Sequence, residues 1–297
     1  MTFNEWFTEF HNVYCKNVLS YDCSSEYTII NKKHYYPIAD MELTDIKPMH
    51  IQQCMNTAKD YSASRKRKVY YLLKRCFNEA IVNEYAVANP VEKIKPPRKV
   101  KKNINLLTAE QLQFIFRVET PITRMFMLEL WTGLRRGEIL ALRWENINFT
   151  EGYINVCQTL VSAENHAQIR NSTKSNKDRL VPLCDESRRI LNAVRASDGS
   201  PIRGYVFHND NGDPLSFRAY HDRYKAFYKE RQEERPDIPY ITPHKLRHTY
   251  ATYLLQNGTD IETARQMLGH SSIQTTAIYV HTTLNRMQTA ANNLKFY

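Results

Sequence analysis

Long apolar runs are missing from this chain of 297 residues. No stretch approaches the roughly 18 consecutive apolar residues that a membrane helix requires. Glu5 and Glu9 interrupt the amino-terminal segment where a signal peptide would need an apolar region. The sequence therefore predicts a protein without a membrane partner, and we expect it to be cytoplasmic.

Cysteine spacings that are typical of metal sites are also missing. The chain has no C-x-x-C pair and no cysteine at metal-ligand spacing from a histidine. Because thiols stay reduced in the cytosol, we expect six reduced cysteines, each buried in a core. They are residues 15, 23, 54, 76, 157 and 184.

The charge of the chain is strongly positive. A formal net charge of +10 and a pI near 9.2 indicate a polyanionic partner, either nucleic acid or an acidic surface. The length is sufficient for two domains that each bury a core.

A basic segment opens a predicted helix in the first third of the chain. Apolar residues recur at three- and four-residue steps between about Lys66 and Glu84, which predicts an amphipathic helix. Its start is rich in lysine and arginine. Two interpretations stay open: a solvated helix face, or a helix end that contacts phosphate through Arg65, Lys66 and Lys68.

Proline and lysine dominate the next segment, from Lys93 to Lys102. Proline favours an extended chain, and the lysines repel one another and attract phosphate. We predict a first helical domain over 1–92, a linker over 93–105 with Lys99 and Lys101 as contacts to the phosphates of a nucleic acid, and a second domain over 106–297. Thr108 and Gln111 predict a capping box where the second domain begins.

The second domain combines helical and strand patterns. The segments 153–156 and 180–183 are typical of strands, and the polar stretch between them carries Lys174. Thr132, Gly133 and Leu134 interrupt an apolar helical pattern and direct Arg135 away from the core. The predicted class is mainly α with a small antiparallel β-sheet (α+β).

The densest pattern is a set of four ordered motifs. Thr132-Gly133-Leu134-Arg135-Arg136-Gly137-Glu138 comes first and Thr173-Lys174-Ser175-Asn176-Lys177-Asp178-Arg179 second. Thr242-Pro243-His244-Lys245-Leu246-Arg247-His248 follows, and then Leu268-Gly269-His270 with Ala277-Ile278-Tyr279. In sequence and order these motifs resemble the tyrosine recombinase (phage integrase) family. The resemblance implies a helical core-binding domain, a linker along DNA and a catalytic domain, which together form a clamp around the duplex.

The resemblance also implies a role for each motif residue. Arg135 and Arg247 would clamp a phosphate, because a guanidinium stays charged and donates to two oxygens. Tyr279 would attack phosphorus, and His244 would be its acid/base partner. His270 would donate a hydrogen bond to the phosphate, and Lys174 would protonate the leaving oxygen, with Lys177 as its rival.

Other residues in these motifs receive supporting roles. We expect Glu138 to orient the site, and we assign structural or packing roles to His248, Tyr250 and Tyr253. The motifs offer fixed cations and no convincing carboxylate pair for a metal, so no metal and no cofactor are expected.

The predicted function is a site-specific DNA recombinase that cleaves and rejoins strands through a covalent 3′-phosphotyrosyl intermediate, without metal or ATP. The alternatives are a type IB topoisomerase and a DNA-binding regulator that no longer needs catalysis. The resemblance implies double-stranded DNA, a homotetramer and an accessory directionality factor as partners. It also implies that a tail, Met287 to Tyr297, docks on a neighbouring subunit.

Overall fold

The computed structural model describes residues 1–16, 18–100, 107–163, 167–171, 178–199, 201–238, 240 and 242–279. It divides into two compact units, one of residues 1–103 with 162–166 and one of residues 104–161 with 167–297. Lys101, Lys174, Lys177 and the predicted tail lie outside the described residues. The predicted domain limits at 92 and 105 stay predictions.

The first unit is helical. Its aromatic core includes Phe3, Phe7 and Phe77, and Trp6 donates its Nε1–H to the carbonyl of Cys76 at 3.0 Å. This bond satisfies the polar atom of a buried indole. The α-helices are α1 Phe3–His11, α2 Tyr21–His34, α3 Pro48–Asn56 and α4 Ala63–Val82.

Helix α4 is the helix predicted from the apolar periodicity. It begins three residues earlier than expected, because Ser62 caps it and accepts a hydrogen bond from the backbone N–H of Arg65 at 3.3 Å. The predicted apolar positions form its buried face. They include Val69, Leu72, Leu73, Cys76, Phe77 and Ala80.

The second unit packs helices around a small sheet. Thr108 and Gln111 form the predicted capping box, with reciprocal hydrogen bonds of 3.0 and 3.2 Å. The α-helices are α5 Ala109–Ile115, α6 Pro121–Thr132, α7 Arg136–Leu140, α8 Asp185–Ser197, α9 Phe217–Glu234, α10 Pro243–Gln256, α11 Ile261–Leu268 and α12 Ile273–Ala277. The predicted mainly helical class with a small antiparallel sheet is confirmed.

Three strands form the main sheet. Strands β1 Ile147–Asn148 and β2 Tyr153–Val156 pair antiparallel. The third strand, β5 Arg179–Pro182, runs antiparallel to β2. Between β2 and β5 in the sequence, β3 Thr159–Ser162 and β4 Ala167–Arg170 pair with each other in a separate sheet. We did not predict β3 and β4, since their side chains are mostly exposed or half-buried and the apolar alternation is weak.

The expectation that all six cysteines are buried is wrong. All six are free thiols, and Cys15, Cys54 and Cys76 are buried in the first unit. In contrast, Cys184 is exposed, and Cys23 and Cys157 are half-buried. Cys184 directly precedes α8 at its N-cap, where the chain turns at the surface. Among the described residues, no helix has the length and apolar character that crossing a bilayer requires.

Gly133 ends α6 in the left-handed conformation, with φ of 64°. A Cβ at this position would lie 2.2 Å from Cδ1 of Tyr250. We therefore expect Gly133→Ala to lower the free energy of unfolding by about 2–5 kcal/mol, as the sum of backbone strain and overpacking. Urea unfolding of the variant and the wild type measures the difference.

Gly212 supplies the matched control. Its φ is 81°, but no atom lies within 4 Å of a Cβ built there. Gly212→Ala should therefore cost only the backbone strain of about 1–2 kcal/mol. Equal losses in the two variants would show that Tyr250 does not restrict position 133.

Candidate active site

The break between α6 and α7 places Arg135. Gly133 ends the first helix, and Arg135 is the N-cap of the second, in extended backbone with φ of −72° and ψ of 152°. Its backbone N–H donates to Oε2 of Glu138 at 2.8 Å, and Nη1 donates to Oε1 at 2.7 Å. The predicted helix break is thus present, and the Arg135 side chain is 28% exposed.

Helix α10 carries three of the polar motif residues on one face. His244, Arg247 and His248 are spaced i, i+3 and i+4, which places them side by side on a helix. Arg247 is 2% exposed, whereas His244 is exposed and His248 is half-buried. The face therefore runs from solvent at its amino-terminal end to a buried guanidinium one turn later.

Glu138 connects two arginines from different parts of the sequence. It accepts from Arg135, and both of its oxygens accept from Arg179 on β5, at 2.9 and 2.6 Å. The Glu138 side chain is 1% exposed. A buried carboxylate is tolerated when its charge is paired and its oxygens are hydrogen-bonded, and the two guanidinium groups meet both conditions.

The C-terminal end of α11 is the second meeting point of the arginines. Successive carbonyls of Met267, Leu268 and Gly269 accept hydrogen bonds from three different side chains. The donors are Arg179 Nε at 3.0 Å, Arg247 Nη2 at 2.5 Å and Arg135 Nη2 at 2.7 Å. These carbonyls have no partners within the helix, and the negative end of the helix dipole favours cations.

The arginines change the protonation of the buried groups. Burial by itself would raise the pKa of Glu138, but the hydrogen bonds and charge of Arg179, with the charges of Arg135 and Arg247, lower it to about 2. Burial and the charge of Arg135 lower the pKa of Arg247 to about 9. At neutral pH the carboxylate is ionised and Arg247 is still charged, so the cluster carries a net positive charge.

Tyr279 follows α12 and lies beside two imidazole rings, those of His248 and His270. Its hydroxyl is in hydrogen-bond contact with Nδ1 of His248. The His270 ring stacks on Tyr279 with centroids 6.4 Å apart, and Nδ1 of His270 is 2.9 Å from the Thr276 hydroxyl. The Tyr279 residue is 3% exposed, and burial raises its pKa, against an opposing effect of Arg247.

The structure thus collects Arg135, Arg247, His270 and Tyr279 from four separate parts of the sequence. The sequence model of the phage integrase family matches residues 104–286. The chain belongs to this family. The prediction of a tyrosine recombinase, a DNA strand-transferring enzyme, is confirmed.

Relatives in this family are similar over most of the chain. Tyrosine recombinase XerD of Halalkalibacterium halodurans is 28% identical over 227 residues, which cover 72% of this chain and 70% of that protein. Tyrosine recombinase XerD of Staphylococcus saprophyticus is 29% identical over 258 residues, which cover 82% of this chain and 80% of that protein.

Solved structures share the fold. The Tn1549 transposon integrase in complex with transposon right end DNA superposes with a TM-score of 0.81, at 18% identity, over 99% of both chains. A lambda integrase dimer bound to a COC′ core site gives a TM-score of 0.72, at 19% identity, over 94% of this chain and 95% of that chain. At these identities the likeness establishes the fold alone.

The structural role predicted for His248 stays a prediction, and the structure places this residue against Tyr279. The hydroxyl of Tyr279 contacts the ring of His248. His244, which we expected as the partner of Tyr279, is exposed, and its ring centroid lies 4.3 Å from that of His248. The i, i+4 spacing of the two histidines on α10 is a signal that would have placed both on the face of Arg247.

Arg179 is a second residue that the motif roles omitted. Arg179 and Val181 are two positions apart on β5 and share one face of the strand, and Val181 is fully buried, so both side chains point inward. An inward cation on a buried strand face requires a carboxylate or carbonyl partner. That strand alternation is the sequence signal that Arg179 points inward and requires a partner, although it does not identify Glu138. Gly269 leaves space for the contact between Arg179 and Glu138, since a Cβ there would lie 2.8 Å from Cδ of Arg179.

The predicted DNA-binding residues lie in the first unit, and their role stays a prediction. Arg65 and Lys68 both pair with Glu26, at 3.0 and 2.6 Å, so one carboxylate shares their charges. Lys66 is half-buried and Lys99 is exposed.

Among the residues that the structure describes, no three histidine, cysteine, aspartate or glutamate side chains are grouped so that they could hold a metal ion. The charge of Arg247 acts on Tyr279, and the charges of Arg247, Arg135 and Arg179 act on His270 beside it.

Proposed function

We propose that this tyrosine recombinase is a site-specific recombinase that cleaves and rejoins double-stranded DNA through a 3′-phosphotyrosyl bond to Tyr279. The observation that carries the proposal is that Arg135 and Arg247 meet at the C-terminal end of α11 and that the charge of Arg247 acts on Tyr279. A tyrosine beside two fixed cations has what a phosphodiester exchange needs: a nucleophile and charge on the phosphate oxygens.

Arg135 and Arg247 are the proposed phosphate clamp. A guanidinium has five N–H donors, and among the described residues each of these two guanidinium groups donates to protein oxygens through Nη1 and Nη2. These hydrogen bonds hold each guanidinium in one orientation, so the side chain needs little rearrangement when a phosphate binds. Arg135 is the more exposed of the two, so it would contact the phosphate first.

Protonation of the leaving oxygen is assigned to Lys174. This residue lies outside the described part of the chain but precedes Arg179 by five positions in the sequence. The assignment rests on the family motif. His270 is the proposed hydrogen-bond donor to the phosphate, and His244 stays a candidate for proton transfer near the site.

DNA and a homotetramer are the proposed partners. The net charge of +10 favours a polyanion, and a lambda integrase tetramer bound to a Holliday junction shares the fold with a TM-score of 0.73, at 20% identity. A helical DNA clamp formed with residues 1–92, a docking tail, a directionality factor and a cytoplasmic location belong to the same proposal.

Trapping of a covalent adduct tests the proposal. Nicked duplexes tiled across the DNA that flanks the gene are incubated with the protein in EDTA, because a nick lets the short cleaved strand diffuse away and prevents religation. We expect an adduct on a denaturing gel at one or more sites, and mass mapping should place the DNA on the peptide that contains Tyr279.

Two variants make the result specific. Tyr279→Phe lacks the nucleophile and should form no adduct, while Tyr253→Phe, a change on α10, should form as much as the wild type. If the protein binds DNA but forms no adduct on any of the tiled duplexes, the recombinase proposal is contradicted and a DNA-binding regulator is favoured.

A further inference from the structure

The Tyr279 hydroxyl is in hydrogen-bond contact with Nδ1 of His248, a residue outside the roles assigned above. We propose that His248 is the general base that takes the proton of Tyr279 as the tyrosine oxygen attacks phosphorus. The inference rests on the proposed function and adds a catalytic residue to it.

Nδ1 of His248 faces the hydroxyl of Tyr279. The two rings have centroids 5.2 Å apart and planes tilted by 49°. The other imidazole beside Tyr279 belongs to His270, and its Nδ1 already pairs with the hydroxyl of Thr276. Proton acceptance by a base requires hydrogen-bond reach to the proton, and in this geometry His248 meets that condition.

Helix α10 holds His248 in place. The neighbouring residue, Arg247, is buried and donates to the carbonyls of Gly133 and Leu268. These bonds tie the helix to the ends of α6 and α11. A base on an anchored helix keeps its position relative to the phosphate clamp, since Arg247 and His248 are consecutive residues of one rigid element.

Protonation states agree with this role. Burial, and then the charges of His244, Arg247 and Lys245, lower the pKa of His248 to about 4, so the ring is neutral at pH 7 and has a free lone pair. Burial raises the pKa of Tyr279, which keeps its proton until it reacts. A phosphate bound by Arg247 would offset the nearby positive charge and make His248 a stronger base when DNA is present.

The proposed step is balanced. An oxygen lone pair of Tyr279 forms the O–P bond while the bond from phosphorus to the 5′ oxygen breaks. The tyrosine proton moves to Nδ1 of His248, and the leaving 5′ oxygen takes a separate proton from the general acid. In religation the 5′ hydroxyl attacks phosphorus and returns its proton to the general acid, while the bond from phosphorus to the Tyr279 oxygen breaks and His248 returns its proton to that oxygen.

Single-turnover adduct formation on a nicked duplex that the wild type cleaves is the primary test. We expect His248→Ala to react about 10²-fold more slowly, a usual size for the loss of one proton-transfer group. His248→Asn, which offers an amide near the position of Nδ1 but cannot carry the proton, should be equally slow. His221→Ala, an exposed histidine on α9, should react at the wild-type rate.

A duplex in which sulfur replaces the leaving 5′ oxygen distinguishes the role of the general base from that of the general acid. Sulfur leaves without needing a proton, so this substrate should rescue a variant of the general acid. It should leave the deficit of His248→Ala in place, because His248 acts on the nucleophile.

A protein-only measurement tests the contact itself. In ¹⁵N-histidine spectra, Nδ1 of His248 should be unprotonated and hydrogen-bonded, and Tyr279→Phe should shift its resonance. An unchanged resonance in Tyr279→Phe would overturn the contact.

The outcomes distinguish the two proposals. No adduct from the wild type would contradict the recombinase function. A wild-type adduct together with an equal or faster rate in His248→Ala would overturn only the role of His248. Near-wild-type cleavage by His248→Asn beside a slow His248→Ala would also overturn the base role, since a hydrogen bond would then suffice.

Discussion

Arg247→Ala is expected to lower the rate of covalent adduct formation at least about 10³-fold, since the loss of a single transition-state donor already costs about 10²–10³. DNA affinity should stay close to that of the wild type, because Arg247 would hold one phosphate among many. Arg247→Lys keeps the charge but not the planar fork, so we expect it to be slow as well. Single-turnover cleavage and gel-shift binding measure the two quantities.

The same variant should also lose stability. Arg247 donates to the carbonyls of Gly133 and Leu268, and alanine leaves both without these donors in a buried place. Each unsatisfied buried carbonyl costs about 1–3 kcal/mol. Cleavage is therefore measured below the melting temperature of the variant. Arg223→Ala, an exposed change on α9, is the charge control, and wild-type cleavage by Arg247→Ala would refute the assigned role.

Glu138→Ala is expected to destabilise the second unit by about 3–5 kcal/mol, the usual cost of leaving buried charges without their partner. The variant leaves Arg135 and Arg179 beside Arg247 with no carboxylate among them. Since Glu138 also orients Arg135, cleavage should fall with stability. Urea unfolding compares it with Glu262→Ala, which breaks the exposed pair with Arg265 and should lower the free energy of unfolding far less.

The pH dependence of the Glu138 contribution follows from its lowered pKa. The folded-state pKa of about 2 lies below the ordinary value of 4.5, so the ionised carboxylate contributes stability above pH 4.5. This contribution is lost as pH falls from 4.5 toward 2. The stability gap between wild type and Glu138→Gln should therefore narrow over this range, and a gap unchanged between pH 7 and pH 3 would contradict the buried ion pair.

Local signals in the sequence predicted local structure well. The capping box at Thr108 and the apolar stripe of α4 each depend on residues a few positions apart, and both are present. The break at Gly133 was predicted for the same reason. Strands β3 and β4 were not predicted, because their exposed side chains carry little pattern and pairing across a sheet decides them.

Long-range contacts determined what sequence reasoning missed. Glu26 takes up charge from Arg65, which is 39 positions away, and Arg179 meets Glu138 across 41 positions. His248 meets Tyr279 across 31 positions. No periodicity or spacing connects such pairs, because their partners are chosen by proximity in the folded chain.

By itself, the sequence determined the family, the mainly helical class and the candidate residues Arg135, Arg247 and Tyr279, since these follow from ordered motifs and side-chain chemistry. Only the tertiary structure decided that Arg179 shares Glu138 with Arg135 and that His248 contacts Tyr279. The physical reason is that a buried charge or hydroxyl needs a partner within hydrogen-bond distance, and folding alone determines which groups come that close.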